Sequence, residues 1–464
     1  MMNLSVNYPN LVTLVPIGSS YLKTENQGGH EVQVLKITAN SWSSKARLFV
    51  LSGLHAREFA PPELVLRFAT HLVENFNLDA DITTILQNTE IHLLVHANPD
   101  GRDLCEARPD LYIRKNIHLD NFVKCDEGWG GVDLNRNFPF MWGLETGSSS
   151  DPCADDYQGK GEASEPEVQA IVKYVSELFP QHQRKLDPMG SNLTLPVSPD
   201  ATGLFLDIHS WGNVMFWPWV FEEIESPNNL QLQTLAMKFE SYNGYHRSGA
   251  GSFNWWYAAS GSAQDWAYGR LGVAALTFEI GTDFYEDCEY FEENIMDKML
   301  PALVYGAKVA QFPYKTPLGP DIISVAKPMR NGIDTPRVSL NSRLTLRVCA
   351  SDEARISNGD ENYVETGNQD VIGVDVYLDI HPSNETATES RMSMKPSDGL
   401  FNSVSEVAEL EIDLSKLSIG RHTLYFQATD SDGFIGPITS RYFEVCAPST
   451  SGCSGVESSE IDDC

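Results

Sequence analysis

The stretch ARLFVLSGLHARE, residues 46–58, decides how this sequence is interpreted. It starts with an apolar run that ends at a glycine, and His55 and Glu58 follow directly after it. Such an uninterrupted apolar run is typical of a strand that is buried on both faces. In open α/β sheets, ligands bind beyond the carboxyl ends of the strands. The stretch therefore predicts a buried strand that carries two polar side chains to a ligand site.

Further apolar runs that end in turn residues surround this stretch up to about Phe312. They are VQVLKITA (32–39), EIHLLVHANPDG (90–101), GLFLDIHS (203–210) and VAALTFEIG (273–281). Helical patterns separate the runs: Leu64, Phe68 and Leu72 recur every four residues. Ser164, with Glu167 three residues later, predicts a capping box. The fold class is therefore α/β, a mixed, mostly parallel central sheet flanked by helices, in a domain at 1–312.

The chain changes character after Phe312. Residues 313–330 are punctuated by prolines and are predicted to form a linker. Short runs with alternating hydrophobicity and no helical pattern follow, which predicts a small immunoglobulin-like β-sandwich of about seven strands at 331–447. Its role is unknown; docking to a surface or to substrate is a hypothesis based on its position alone. The Ser- and acid-rich residues 448–464 are predicted to be a flexible tail.

Charge and cysteine content restrict the function and the compartment. The 64 acidic residues against 33 Lys and Arg give a formal net charge of −31, which disfavours nucleic acid and anionic membranes as partners.

Eight cysteines without a C-x-x-C pair favour disulfides over a thiolate zinc cage, although buried thiols are the alternative. We therefore expect a secreted or periplasmic protein, although the given sequence shows no export signal. A bridge between Cys349 and Cys446 would join the two sheets of the sandwich.

A second strand end supplies the third ligand of a metal site. His209 ends the run GLFLDIHS, and together with His55 and Glu58 it would complete the three protein ligands of a catalytic zinc ion. Taken singly, a His-x-x-Glu pair is usually a surface pair, and a strand-end histidine is usually a core or loop residue. The combination favours a Zn²⁺ site with one open position.

Polar residues elsewhere suggest what this site would do. Glu279 lies within an apolar strand, where a carboxylate is costly unless it is functional or paired, so it is a candidate general base. Asn135 and Arg136 in GVDLNRNF, and Arg114 in YIRKN, are suited to bind a carboxylate or to polarise a carbonyl. A salt-bridged structural glutamate and surface ion pairs are the alternatives.

Taken in order, these motifs resemble the zinc metallocarboxypeptidases of the carboxypeptidase A/B family, from about Tyr8 to Phe312. The resemblance implies one Zn²⁺ per chain and hydrolysis of the C-terminal peptide bond of peptides and proteins. It assigns His55, Glu58 and His209 as metal ligands and Glu279 as the general base. Arg114 would polarise the scissile carbonyl.

The resemblance also implies how substrate is held. Asn135, Arg136 and Tyr257 would bind the terminal carboxylate, and Arg57 would contact residues upstream in the peptide. Gln264 would lie at the floor of the pocket for the terminal side chain, which we expect to be neutral. Among the cysteines, Cys125 with Cys153 matches a disulfide of the family, and Cys105 with Cys288 is a weaker pairing.

Two alternative functions stay open at this level. The chain could be an enzyme for a different bond, such as one in a cell-wall peptide or an acyl-amino acid. It could also be an inactive catalytic fold that serves for binding. The second alternative predicts the loss of a ligand or of the base, and neither is missing from the sequence.

Overall fold

The protein is described here by a computed structural model. The structure describes residues 1–39, 45–122, 125, 130–144, 146–180, 191–248, 258–326, 336–353, 369–448, 450, 453 and 464. The chain forms two compact units. The first consists of Met1–Val73 and Gln87–Tyr314, and the second of Glu74–Leu86 and Lys315–Cys464. Within the described residues, no helix combines the length and the apolar character needed to cross a membrane.

An eight-stranded mixed sheet forms the centre of the first unit, in the order β1-β2-β4-β3-β5-β8-β6-β7. Its middle strands β4, β3, β5 and β8 run parallel to one another. These strands are almost completely buried, which explains their continuous apolar runs. The strands are β1 (Val12–Ser19), β2 (Glu31–Ile37), β3 (Ala46–Ser52), β4 (Thr89–Leu94), β5 (Leu204–His209), β6 (Val214–Phe216), β7 (His246–Ser248) and β8 (Ala274–Glu279).

Helices precede, separate and follow these strands along the chain, and the predicted α/β class is confirmed. They are α1 (Met2–Asn7), α2 (Tyr21–Thr24), α3 (Ala60–Asn75), α4 (Ala80–Asn88), α5 (Pro99–Ala107), α6 (Leu119–Phe122), α7 (Pro166–Leu178), α8 (Asn229–Asn243), α9 (Ala263–Leu271), α10 (Cys288–Tyr290) and α11 (Asp297–Val309). The capping box predicted at Ser164 is wrong, because Glu165 occupies the N-cap of α7. Glu167 is instead buried and accepts a hydrogen bond from the backbone N–H of Tyr21.

The second unit contains two sheets that share one apolar core, which confirms the predicted β-sandwich. One sheet has the order β10-β17-β16-β12-β13 and the other β14-β15-β11-β9. Both contribute to the core, for example Val348 from β11 and Phe426 from β16. The strands are β9 (Asp321–Val325), β10 (Arg337–Ser339), β11 (Arg343–Ser351), β12 (Val371–Leu378), β13 (Arg391–Ser393), β14 (Lys395–Pro396), β15 (Ser405–Asp413), β16 (Gly420–Asp430) and β17 (Thr439–Cys446).

The predicted linker at 313–330 is therefore not a plain connection. Strand β9 lies inside it and pairs antiparallel with β11. Ile322 and Val325 of β9 are buried in the sandwich core, and this burial outweighs the breaking effect of the surrounding prolines. The segment Glu74–Leu86 lies inside the predicted first domain, 1–312, but belongs to the second unit.

Three disulfides are present among the described residues. The bond between Cys125 and Cys153 confirms the pairing implied by the family resemblance. The pairing of Cys105 with Cys288 is wrong: Cys105 is buried and its Sγ lies 3.2 Å from the hydroxyl of Tyr285, whereas Cys288 is exposed.

The predicted bridge between Cys349 and Cys446 is also wrong. Cys349 bonds to Cys464 and Cys446 bonds to Cys453, so both take their partner from the C-terminal tail. Most of the tail predicted to be flexible, 448–464, lies outside the described residues. Its two cysteines are nevertheless bonded to strands β11 and β17.

Candidate metal centre

Two neighbouring parallel strands bring the three predicted metal ligands together. His55 and Glu58 follow β3, His209 is the last residue of β5, and Ser52 is in register with Ile208. All three side chains are buried. Within the described residues they form the single His, Cys, Asp or Glu group that could hold a metal ion, with ligand atoms within 4.8 Å of one another.

The spacing of the donor atoms suits a zinc ion. Nδ1 of His55 lies 2.6 Å from Glu58 Oε1, Nδ1 of His209 lies 3.0 Å from Glu58 Oε2, and the two Nδ1 atoms are 3.1 Å apart. Tetrahedral zinc bonds of about 2.0–2.1 Å separate two ligand atoms by about 3.3 Å. The donor set of two imidazoles and one carboxylate therefore fits Zn²⁺ after small shifts.

Electrostatics keep the carboxylate of this group ionised. Burial alone would raise the pKa of Glu58, but the charges of His55 and His209 outweigh burial and lower that pKa below its ordinary value. An ionised carboxylate is the form that binds a metal ion.

Asp133 is a site residue that the sequence analysis did not select. Its side chain is completely buried, and its Oδ1 lies 3.2 Å from His55 Nε2. Burial opposes its ionisation, but the positive charges of Arg114 and Arg136 outweigh that effect and lower its pKa well below the ordinary value. A carboxylate behind the second nitrogen of a histidine ligand fixes the ring and its tautomer. The signal was present in GVDLNRNF, but nothing in that motif shows which histidine the aspartate reaches.

Glu279 ends β8, and its backbone is in register with His209 on β5. Partners in register on parallel strands project from the same face of the sheet, so Glu279 lies beside the metal ligands. Its side chain keeps some exposure to solvent. Burial of the carboxyl group raises the pKa of Glu279 to about 8. The positive charge of His209 opposes this increase only in part. A carboxyl group with such a raised pKa can both accept and return a proton near neutral pH.

Three predicted cationic and amide side chains border the same cluster. Arg114 donates from Nε and Nη2 to Oδ2 of Asp133. Asn135 and Arg136 belong to a 3₁₀ turn at Leu134–Arg136, and the Asp133 side chain caps this turn by accepting a hydrogen bond from the backbone N–H of Asn135. Nδ2 of Asn135 lies 3.1 Å from Nε2 of His209. The guanidinium of Arg136 is held by the carbonyls of Gly147 and Asn135.

The other predicted substrate residues have different surroundings. Arg57 lies over the ring of Phe284, and its Nη2 is 3.4 Å from Oδ2 of Asp155. Gln264 is buried in the first turn of α9, where neither polar atom of its amide has a hydrogen-bond partner among the described residues. Tyr257 lies outside the described residues.

Comparison with known proteins identifies relatives of the first unit. Residues 1–299 match the family described as zinc carboxypeptidase. Carboxypeptidase A1 of Mus musculus is 26% identical over 281 residues, which cover 60% of this chain and 59% of the relative. The chain therefore spans less than two thirds of the length of that relative.

Solved structures show the same fold. Carboxypeptidase A from Helicoverpa armigera superimposes with a TM-score of 0.52 at 26% identity, covering 67% of this chain and 71% of the other. Thrombin-activatable fibrinolysis inhibitor gives a TM-score of 0.56 at 22% identity, covering 67% and 72%. Both matches agree with the α/β architecture of the first unit. The sandwich at the C-terminal end lies beyond the residues matched by the family.

Proposed function

Since this chain belongs to the zinc carboxypeptidase family, we propose that it is a zinc-dependent exopeptidase. It would hydrolyse the C-terminal peptide bond of peptides and proteins. The observation that carries this proposal is the convergence of His55, Glu58 and His209 beside Glu279 at the carboxyl ends of three parallel strands. A metal site alone would also suit a binding protein, but a carboxyl group with a raised pKa next to it suits hydrolysis.

The metal would be held by His55, Glu58 and His209, leaving a fourth position for water or substrate. A bound zinc ion supplies Lewis acidity, which lowers the pKa of a water molecule and polarises a carbonyl group. Glu279 would accept the proton of the attacking water and deliver it to the departing amine. The guanidinium of Arg114 would stabilise the negative charge that develops on the carbonyl oxygen.

The restriction to chain ends would come from the polar residues beside the metal. Arg136 offers a planar guanidinium and Asn135 an amide, and both are suited to the terminal carboxylate. Tyr257 would contribute to the same contact, and Arg57 would contact the upstream part of the peptide. Binding the carboxylate at a fixed distance from the metal would place only the last peptide bond in reach.

The terminal side chain would enter a pocket with Gln264 at its floor. The unpaired buried amide of Gln264 can donate and accept hydrogen bonds but carries no charge. This favours neutral terminal residues of medium size.

The disulfides agree with action in an oxidising compartment, outside the cell or in the periplasm. The sandwich would serve for attachment or docking.

The test combines zinc content with product analysis. The purified wild-type protein should contain one zinc ion per chain and release single amino acids from the C-termini of a mixed peptide library. Glu279→Gln should retain the zinc and lose the release by several orders of magnitude. The exposed Glu293 provides a control, and Glu293→Gln should keep wild-type activity.

Two other results would reject the proposal. Bound zinc without release from any peptide with a C-terminal carboxylate would indicate another bond, such as one in a cell-wall peptide or an acyl-amino acid. Full activity of Glu279→Gln would reject this glutamate as the base. Removal of the metal with a chelator should abolish release, and added zinc should restore it.

A further inference from the structure

We propose that Asn384, in the second unit, is a site of N-linked glycosylation. Asn384, Glu385 and Thr386 form the pattern Asn-x-Ser/Thr without a proline in the middle, and in secreted proteins this pattern accepts an oligosaccharide. The inference goes beyond the proposed peptidase activity. It depends on passage through an oxidising compartment, which the disulfides support, and it does not depend on the metal site.

The pattern alone does not select Asn384, because it also occurs at Asn3 and at Asn192. Asn3 lies within helix α1, where the hydroxyl of Ser5 donates to the backbone carbonyl of Met2 and not to the asparagine. The side chain of Asn192 lies outside the described residues. At Asn384, by contrast, the hydroxyl of the pattern contacts the asparagine amide.

The third residue of the pattern fixes the orientation of the Asn384 amide. Oδ1 of Asn384 accepts hydrogen bonds of 3.0 Å from the backbone N–H and from the hydroxyl of Thr386. A backbone N–H can only donate, so the amide atom that faces it must be the oxygen, and Nδ2 points away from Thr386. Within the described part of the chain Nδ2 has no hydrogen-bond partner, and it is not buried. The nitrogen that would carry the sugar therefore reaches solvent.

The turn that presents Asn384 is built from contacts between near neighbours in the chain. The backbone N–H of Asn384 donates to the carbonyl of His381, and that of Ala387 donates to the carbonyl of Asn384. Such local contacts can form before the sandwich is complete, when a transferase meets the emerging chain. In the folded unit Ala387 is buried, whereas Glu385 and Thr386 are exposed. The turn is thus anchored on one side and open to a transferase on the other.

The position of the turn in the fold leaves room for a glycan. The turn connects β12 with β13, and β13 is the edge strand of the five-stranded sheet. An oligosaccharide is bulky and hydrophilic, so it belongs on the surface. In the connection to an edge strand it would oppose pairing of that edge with another chain, which is a known hazard of open edges.

The transfer step needs a donor, an oligosaccharide carried on a lipid diphosphate, and a transferase of the secretory pathway. Nδ2 of Asn384 forms a bond to the anomeric carbon of the first sugar and gives up one proton. The bond between that carbon and the phosphate oxygen breaks. The lipid diphosphate leaves with the electron pair of that bond and, in net terms, with the proton. No oxidant or reductant is required.

The test uses the full chain, secreted from a eukaryotic cell line by means of an added signal peptide. Peptide-N-glycosidase converts a glycosylated asparagine into aspartate, which marks the site in the mass spectrum of a protease digest. We expect most secreted wild-type chains to carry the mark at Asn384. Asn384→Gln and Thr386→Ala should lose it completely, and Thr386→Ser should keep it because the hydroxyl is retained.

Asn402 provides a matched control in the same unit. It is also exposed, but valine follows Ser403, so its pattern lacks the required hydroxyl. Asn402→Gln should therefore keep the mark at Asn384. Unmodified Asn384 in secreted wild-type protein that contains the bond between Cys349 and Cys464 would overturn the inference. A mark that survives in Thr386→Ala, or a wild-type chain that is not secreted with its disulfides, would overturn it as well.

Release of amino acids from peptides, measured on the same samples, separates this inference from the proposed function. The metal site belongs to the first unit, so Asn384→Gln should release amino acids at the wild-type rate. If no sample releases amino acids, the proposed function fails, while the mass spectra still decide whether Asn384 is glycosylated.

Discussion

Arg114 places its Nε and Nη2 atoms each 3.0 Å from one oxygen, Oδ2 of Asp133. The other oxygen of Asp133 lies 3.2 Å from Nε2 of His55. One buried carboxylate therefore connects a metal ligand with the residue proposed to stabilise the developing oxyanion. This arrangement lets the contacts of Asp133 with His55 and with Arg114 be tested separately.

Substitution of Arg114 should affect catalysis without affecting metal binding. Arg114→Lys retains the charge but cannot donate twice in the plane of a guanidinium, so the ammonium group would move from its present position. We expect kcat to fall about 10²- to 10³-fold with zinc content unchanged. Asp133→Asn should lower both kcat and the zinc affinity, because it also weakens the contact with His55. Steady-state kinetics and metal analysis of the two variants provide the comparison.

Arg108 offers a matched control for this experiment. Its guanidinium also donates from Nε and Nη2 to one aspartate, Asp110, but this pair is exposed. Arg108→Lys should keep wild-type kcat and zinc content. Wild-type kcat in Arg114→Lys, or a loss explained fully by missing zinc, would contradict the role given to Arg114.

A buried ion pair fixes the segment Glu74–Leu86 within the second unit. Oδ2 of Asp81 accepts a hydrogen bond of 2.9 Å from Arg441, and Oδ1 accepts one of 2.7 Å from the backbone N–H of Ser440. The side chains of Asp81 and Arg441 are only 10% and 12% exposed. Removal of Arg441 would leave the carboxylate nearly buried without its charged partner. We expect Arg441→Met to lower the free energy of unfolding by about 2–3 kcal/mol in urea denaturation.

A double-mutant cycle with Asp81→Asn would isolate the pair. The coupling energy should exceed about 1 kcal/mol, since the two groups are in direct contact and poorly solvated. The surface pair of Arg343 and Glu411, whose side chains are 71% and 51% exposed, is the control and should give a smaller value. Equal coupling energies for the two pairs would show that burial does not strengthen the contact with Asp81.

The sequence predicted those parts of the site that a strand end determines. His55, His209 and Glu279 each lie at the end of an apolar run, and parallel strands place such ends at one edge of the sheet. Asp133 could not be selected in this way. It contacts one specific nitrogen of the His55 ring, and the sequence pattern does not contain that geometry.

The errors in the fold have a similar origin. The prolines beside Asp321–Val325 led the sequence analysis to predict a linker there. The strand nevertheless forms, because it pairs with β11 and packs in the sandwich core. The pairing of Cys349 depends on where the tail returns to the second unit. Local propensity cannot predict either, since both depend on contacts between distant parts of the chain.

Two buried glutamates share one amide group in the first unit. Nδ2 of Asn116 lies 2.8 Å from Oε2 of Glu165 and 3.2 Å from Oε2 of Glu167. Burial raises the pKa of Glu167 from its ordinary value of about 4.5 to about 8, and the nearby Glu165 acts in the same direction. Glu167 is therefore protonated in the folded protein at neutral pH, whereas in the unfolded chain it is ionised.

This difference makes the stability of the first unit depend on pH. Below about pH 4.5 Glu167 is protonated in both states, so its neutral form contributes fully to stability there. Between about pH 4.5 and 8 the unfolded chain loses the proton and the folded protein keeps it, so the free energy of unfolding falls by up to about 1.4 kcal/mol per pH unit. Above about pH 8 both states are ionised and this contribution becomes constant.

Glu167→Gln removes the titrating group, so its stability should not show this decline. The variant should be no more stable than the wild type near pH 5, because the amide has one acceptor oxygen fewer for Tyr21 and Asn116. Its stability relative to wild type should then rise towards pH 8, as measured by urea denaturation at several pH values. The exposed Glu293→Gln should run parallel to the wild type. A constant difference between Glu167→Gln and wild type over this range would mean that Glu167 is ionised in the folded protein.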